Sequence, residues 1–387
     1  MNRRTTLGIV VSLSIGTLSY GDTFRVDVDS TAGTPDGSTW PLAYPTLQDA
    51  LAAAVDTDDI IWCASGTYRP DLGGSETEDD REASFVLPTT NLKIYGGFAG
   101  DEGNLEDRDI DLNVTILSGD IGTADDPTDN SYHVIVATDT DPALRLDGFT
   151  IELGYADGAG ANEDVGGAIL IAGTGNDSEL KVYNCIFQNN YAELSGGAVY
   201  NYQGTPVFVN CLFDKNIAGT DDGGAIYTDG GDTPAYGNLA LVNVHFSEND
   251  AAKRGGALYA NHCAPTLTHC TFWENTVTST SCVTEDDCGG GAIYLTCDSE
   301  DGCDATTPTI TNCSFANNNV AEHDYTDCGG VYSNRSSDPS SGAVTVVNTV
   351  FWDNNDDDAG TDSEAANILE NAGATTNPSE NYPTLYS

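Results

Sequence analysis

Methionine occurs once in the 387 residues, and lysine plus arginine only 13 times against 61 aspartates and glutamates. The formal net charge of −48 argues against nucleic acid or an anionic membrane as a partner. Long apolar runs are also lacking: no segment approaches the roughly 20 residues that a membrane-spanning helix needs. Nor is there a helical apolar period between the short alternating stretches, and the 42 glycines fit no helical bundle.

What is present begins with an address. Arg3 and Arg4, the apolar Leu7 to Leu18 and the small residues before Asp22 read as a signal peptide, residues 1–21, and imply an exported chain found outside the cell, on its surface or at an outer membrane. Removing those two arginines leaves 11 cations and a charge of about −50. Such a surface attracts divalent cations, calcium first among them.

Two phrases then recur down the chain. Gly-Gly followed by a small or branched residue stands at Gly166, Gly196, Gly223, Gly255, Gly290 and Gly329. After each comes a Phe-x-x-Asn, namely Phe187 to Asn190, Phe213 to Asn216, Phe246 to Asn249, Phe272 to Asn275, Phe315 to Asn318 and Phe351 to Asn354. An alternating strand such as "LKVYNCIF" or "VFVNCLF" precedes every Phe, and a period of two means β. A repeat near 30 residues with two or three short strands predicts an all-β chain, a right-handed parallel β-helix with one coil per repeat. A propeller blade needs four strands, for which the repeat has no room. Stacking places each Phe above the last in the core and lets each Asn donate to one coil and accept from the next. The Asn is also expected at the left-handed corner and the Gly-Gly at a turn or close approach.

The pairing of Gly-Gly-Ala-(Ile, Leu, Val) with Phe-x-x-Asn resembles the repeat of polymorphic outer membrane proteins and of bacterial secreted right-handed β-helix repeat proteins. "LKIYGGFAG" and "LRLDGFTIELGYA" are similar to the first coils of the latter. The resemblance implies a surface or secreted protein, often an adhesin, on the fold shared with pectate lyases. The chain is organised as residues 22–130 for an N-terminal cap and first coils, 131–355 for repeat coils, and 356–387 for an acidic tail or weak cap. Leu47, Leu51 and the alanines of "PTLQDALAAAV" predict a short capping helix over the core.

Cys185, Cys211, Cys270 and Cys313 share the slot two residues before the repeat Phe and are expected as buried thiols, as is Cys63. Cys263, Cys282, Cys288, Cys297, Cys303 and Cys328 lie in or beside the longest loops and are expected in disulfides whose pairing is open. In those loops Glu285, Asp286, Asp287, Asp298, Glu300 and Asp301 are candidate calcium ligands, without the ordered spacing of an EF-hand.

The candidate catalytic constellation is Asp221 and Asp222 with Lys253 and Arg254, two pairs at one offset before Gly223 and Gly255. They should stack on adjacent coils, where they would equally make an ordinary ion pair. No polygalacturonase-like Asn-Thr-Asp or Gly-His-Gly occurs. The expectation is a monomeric, non-catalytic protein binding a polysaccharide or another cell-surface component. The alternatives are a polysaccharide lyase or glycoside hydrolase, and a structural component of the envelope or matrix. Convergent charged side chains along a groove would favour the enzyme; exposed aromatics or irregular loops without them, the binding module.

Overall fold

The computed structural model describes residues 21–88, 90–173, 178–231, 237–278, 289–297, 307–321, 328–335, 344–354 and 368–370. Of the expected signal peptide, residues 1–20 lie outside them. Among these residues, strands of two to six residues form four sheets of ten, nine, six and nine strands. All pairings are parallel, each strand joining its counterpart one coil away, so the chain winds as a right-handed parallel β-helix.

One coil explains the others. Lys181–Tyr183 belongs to the first sheet, Ile186–Gln188 to the second, Tyr191–Ala192 to the third and Val199–Tyr202 to the fourth. Val182, Cys185, Phe187, Asn190, Ala192 and Val199 are all buried. Strict alternation from Val182 would put Cys185 and Phe187 outside, but Asn184 and Asn189 adopt left-handed φ values of 51° and 54° and each inserts one extra outward residue at a corner. The corner is therefore the residue before the repeat Asn, and the repeat Asn itself points inward, contrary to the sequence expectation. The count of strands is likewise four per coil rather than two or three, because the third strand has only two residues and no alternation to read.

Inside, rings of successive repeat phenylalanines from Phe187 to Phe351 stack 4.6 to 5.0 Å apart within 10° of parallel. Full burial of such a side chain stabilises by about 1.5–3 kcal/mol. Beside them runs an amide ladder. Asn249, for example, donates from Nδ2 to Oδ1 of Asn275 at 2.8 Å and to the carbonyl of Phe213 at 3.0 Å. The inner corner thus carries polar groups with their hydrogen bonds made. Cys63, Cys185, Cys211, Cys270 and Cys313 are buried in the same core. Burial pushes the Cys211 thiol up to about 12, which makes it inert.

The Gly-Gly phrase does both jobs expected of it. Gly223 turns with φ +68°, and a Cβ on Gly224 would come within 2.1 Å of the carbonyl oxygen of Gly256 in the next coil. At the start, Thr46 Oγ1 accepts from the amide of Asp49 and caps the helix Leu47–Ala53, whose Leu47 and Ala50 are buried against the first coils. Near the far end, Ile368–Glu370 pairs in parallel with Val331–Ser333, so this part of the predicted tail extends the fourth sheet.

Candidate functional site

Asp221, Asp222, Lys253 and Arg254 fall on adjacent coils at the corner between the third and fourth sheets, where Asp222 and Arg254 are bridge partners. Arg254 grips Asp222 with two hydrogen bonds, Nε to Oδ1 at 2.9 Å and Nη2 to Oδ2 at 2.6 Å. Its guanidinium lies 4.8 Å from the Tyr259 ring centroid and 5.4 Å from that of Tyr294. Burial raises the Asp222 carboxyl although the guanidinium pulls it down. Burial works to lower Arg254, but the Asp222 hydrogen bonds and charge more than offset it, so the guanidinium stays protonated. Lys253 pairs with Asp221 at the surface. With all four groups engaged in ion pairs, this constellation is a clasp between coils, with no cation left free to abstract a proton.

The other sequence candidates are dispersed. Glu285, Asp286, Asp287, Asp298, Glu300, Asp301, Cys282, Cys288 and Cys303 lie outside the described residues, as does the side chain of Cys297. Cys263 and Cys328 are buried. His269 fills the corner position held elsewhere by Asn184, Asn210 and Asn312, with φ +58°. His262 Nδ1 stands 3.6 Å from Asp229 Oδ1.

The groove that sequence reasoning missed runs over the corner between the second and third sheets. It has a volume of about 660 Å³ and is lined by Asn189, Lys215, Ile217, Glu248, Asp250, Glu274, Thr276, Asn317 and Asn319. Two columns of outward residues make it. The first is the left-handed corner, occupied in successive coils by Asn189, Lys215, Glu248, Glu274, Asn317 and Asp353. The second follows the inward Asn, where Ile217, Asp250, Thr276 and Asn319 are register partners across successive strands. Neighbouring residues in each column are thus one strand spacing apart, about 4.8 Å.

Asparagine and aspartate accept a left-handed backbone readily; a lysine or glutamate there costs roughly 1–2 kcal/mol. The three middle coils carry Lys215, Glu248 and Glu274 at φ 52° to 55°. These are the corners that surround Asp250. Lys215 lies 3.4 Å from Asp214 and 3.7 Å from Glu248, whereas Glu274 has no ion-pair partner among the described residues. Asp250 is mostly buried, and its Oδ1 accepts no hydrogen bond from any described residue. Asn319 Oδ1, two strands along the same column, is in the same condition. Burial pushes the Asp250 carboxyl up to about 6, against a hydrogen bond from Thr278 that works to lower it. No three His, Cys, Asp or Glu among the described residues are gathered to hold a metal ion. The groove therefore offers one carboxyl poised to hold a proton up to about pH 6 and, on the next coil, a glutamate with no ion-pair partner among the described residues. That division suits acid–base chemistry.

A second groove of about 400 Å³ lies over the corner between the first and second sheets, lined among others by Asp111, Asn184, Asn210, Asn243 and His245. Burial lowers the His245 imidazole. With a single carboxylate, this groove lacks the pairing found in the first.

A family model described as the right handed beta helix region matches residues 167–378. No curated protein matches the chain. Among solved structures, a pectin methylesterase from Aspergillus niger is 16% identical over 93% of this chain and 91% of its own, with a TM-score of 0.35. A rhamnogalacturonan lyase is 13% identical over 83% and 75%, TM-score 0.39, and a carrot pectin methylesterase 14% identical over 91% and 89%, TM-score 0.37. At this level of likeness the chemistry is left to the residues themselves.

Proposed function

The chain belongs to the right-handed β-helix family, and from that premise we propose that it is a glycoside hydrolase acting on an extended neutral polysaccharide in the groove of Glu248, Asp250 and Glu274. One observation carries the reading: Asp250, largely buried and with an Oδ1 that no described residue partners, lines a groove beside Glu274, which has no ion-pair partner among the described residues. Charged side chains along a groove are what favour an enzyme over a binding module, and Lys215, Glu248, Asp250 and Glu274 line this one, which supports catalysis.

In the reaction Asp250, protonated, donates to the glycosidic oxygen as that bond to the anomeric carbon breaks. Glu274 accepts a proton from the water whose oxygen forms the new bond to that carbon. Asp250 ends as carboxylate and Glu274 as acid, and proton exchange with solvent restores both. Glu248, tied to Lys215, lines the groove beside them. The acidic surface favours a neutral polymer over a polyanion. A groove open at the surface suits a long chain better than a small molecule. The signal-like residues 1–21, and repeats like those of polymorphic outer membrane and secreted bacterial proteins, support export to the place where such polymers occur.

The test is release of reducing ends from soluble neutral polysaccharides by the intact chain, by Asp250→Asn and by Glu274→Gln. The reading requires release by the parent and a loss of at least about a hundredfold in each variant. Release that survives both substitutions would remove the site.

A further inference from the structure

The chain has four tryptophans. Trp40 and Trp62 pack with Phe98 in a cluster near the N-terminal end. The other two, Trp273 and Trp352, both occupy the residue after the repeat Phe and both face outward, 38% and 71% exposed. Elsewhere in the column stand Gln188, Asp214, Ser247 and Ala316. Register places Trp273 beside Ala316 and Ala316 beside Trp352. The two indoles are therefore two strand spacings apart, about 10 Å, on one face with a small residue between them.

Large aromatic side chains are costly to leave in water, and nothing in the repeat demands them here, since four other coils do without. Each precedes a residue of the groove's own corner column: Trp273 is followed by Glu274, and Trp352 by Asp353. The strip Trp273–Ala316–Trp352 thus runs alongside Glu274–Asn317–Asp353, and Glu274 and Asn317 line the groove. Continuity with the groove names the occupant. An indole offers a flat apolar face and one N–H donor, which suits the C–H face of a pyranose ring and its hydroxyl rim.

We infer that Trp273 and Trp352 form a stacking platform for the same neutral polysaccharide, holding rings on either side of Ala316 as the polymer leaves the carboxylates toward the C-terminal coils. The inference rests on the proposed hydrolase site for its direction and for the identity of its ligand. Binding by the platform needs no catalysis. Short oligosaccharides that fill only the groove do not reach Trp352, so its contribution appears with long chains alone.

The experiment is affinity electrophoresis through gels containing a mixed-linkage glucan, an arabinan or a galactomannan, with the full-length chain carrying Asp250→Asn to slow turnover. That protein is expected to be retarded by at least one of the three. Adding Trp352→Ala weakens retention on the polymer about tenfold and leaves competition by short oligosaccharides unchanged, whereas Trp273→Ala weakens both. Ala316→Phe, which fills the space between the indoles, weakens retention like Trp352→Ala. Unchanged melting temperatures show that the exposed substitutions leave the fold intact. Retention that is absent in the Asp250→Asn protein, or unaltered by either tryptophan substitution, overturns the platform even if hydrolysis is found. Tryptophan-dependent retention without hydrolysis by the parent chain keeps the platform and removes the hydrolase.

Discussion

Asn216 donates from its side-chain Nδ2 to Oδ1 of Asn249 in the following coil at 2.9 Å, and Asn249 does the same to Asn275 at 2.8 Å. The backbone amide of Asn216 also donates to Oδ1 of Asn249, at 3.1 Å. Asn249→Ala therefore strips an acceptor from both donors of Asn216 and a donor from the Phe213 carbonyl, all of them buried. At roughly 1–3 kcal/mol per buried orphan, the expected loss of unfolding free energy in urea is about 4 kcal/mol. Asn243→Gly on the outer ladder keeps the left-handed corner and loses an exposed hydrogen bond to Asn210, so it should cost less than about 1 kcal/mol. Equal losses for the two would contradict the inward ladder.

The clasp separates into a buried and an exposed half. Arg254→Ala leaves the Asp222 carboxylate buried without its partner, and the expected destabilisation is about 3–5 kcal/mol. Lys253→Ala breaks a pair whose side chains are 47% and 33% exposed and should cost about 0–1 kcal/mol. Urea unfolding reads both. Hydrolysis per folded molecule should be unchanged in either, because neither residue lines the carboxylate groove. A selective loss of turnover in Lys253→Ala with stability intact would return this corner to the chemistry.

The fold was legible because the repeat phrase names inward residues directly. Phe187, Asn190 and Cys185 recur at fixed offsets, and stacking needs equivalent residues at equivalent places. The corners were less legible. Asn189 stands next to Asn190, and sequence alone does not tell which of two adjacent asparagines takes the left-handed backbone and which turns inward. The groove was missed for a related reason. Lys215, Glu248 and Glu274 are the variable third residue of Phe-x-x-Asn, where the eye follows what repeats. Aligning that position against Asn189, Asn317 and Asp353 would have exposed three middle coils giving up a residue suited to the corner. The burial of Asp250 has no such signal, since it depends on packing between coils.

Asp250 gives a stability signature of its own. Its folded carboxyl holds a proton up to about pH 6, whereas the unfolded one releases it near the ordinary value of 3.8. Between those values the folded chain binds more protons than the unfolded chain, so this group makes stability fall as pH rises through the window, with the full penalty above about 6. Asp250→Asn should therefore raise the unfolding free energy by about 1–2 kcal/mol at neutral pH, after allowance for partial exposure. The advantage should disappear at pH values below 3.8. A variant less stable than the parent at neutral pH would mean that the ionised carboxylate helps to hold the fold, and a buried carboxyl that favours its proton would be ruled out.

The most direct measurement is the pH dependence of reducing-end release from a neutral polysaccharide, taken on the parent chain and on Asp250→Asn. The parent is expected to release reducing ends at a rate that declines as pH rises above about 6, where Asp250 loses its proton. Asp250→Asn is expected to keep a residual rate from which that limb is absent. A parent chain that releases nothing from any neutral polymer, or a limb that persists in Asp250→Asn, would contradict the assignment of Asp250 as the acid.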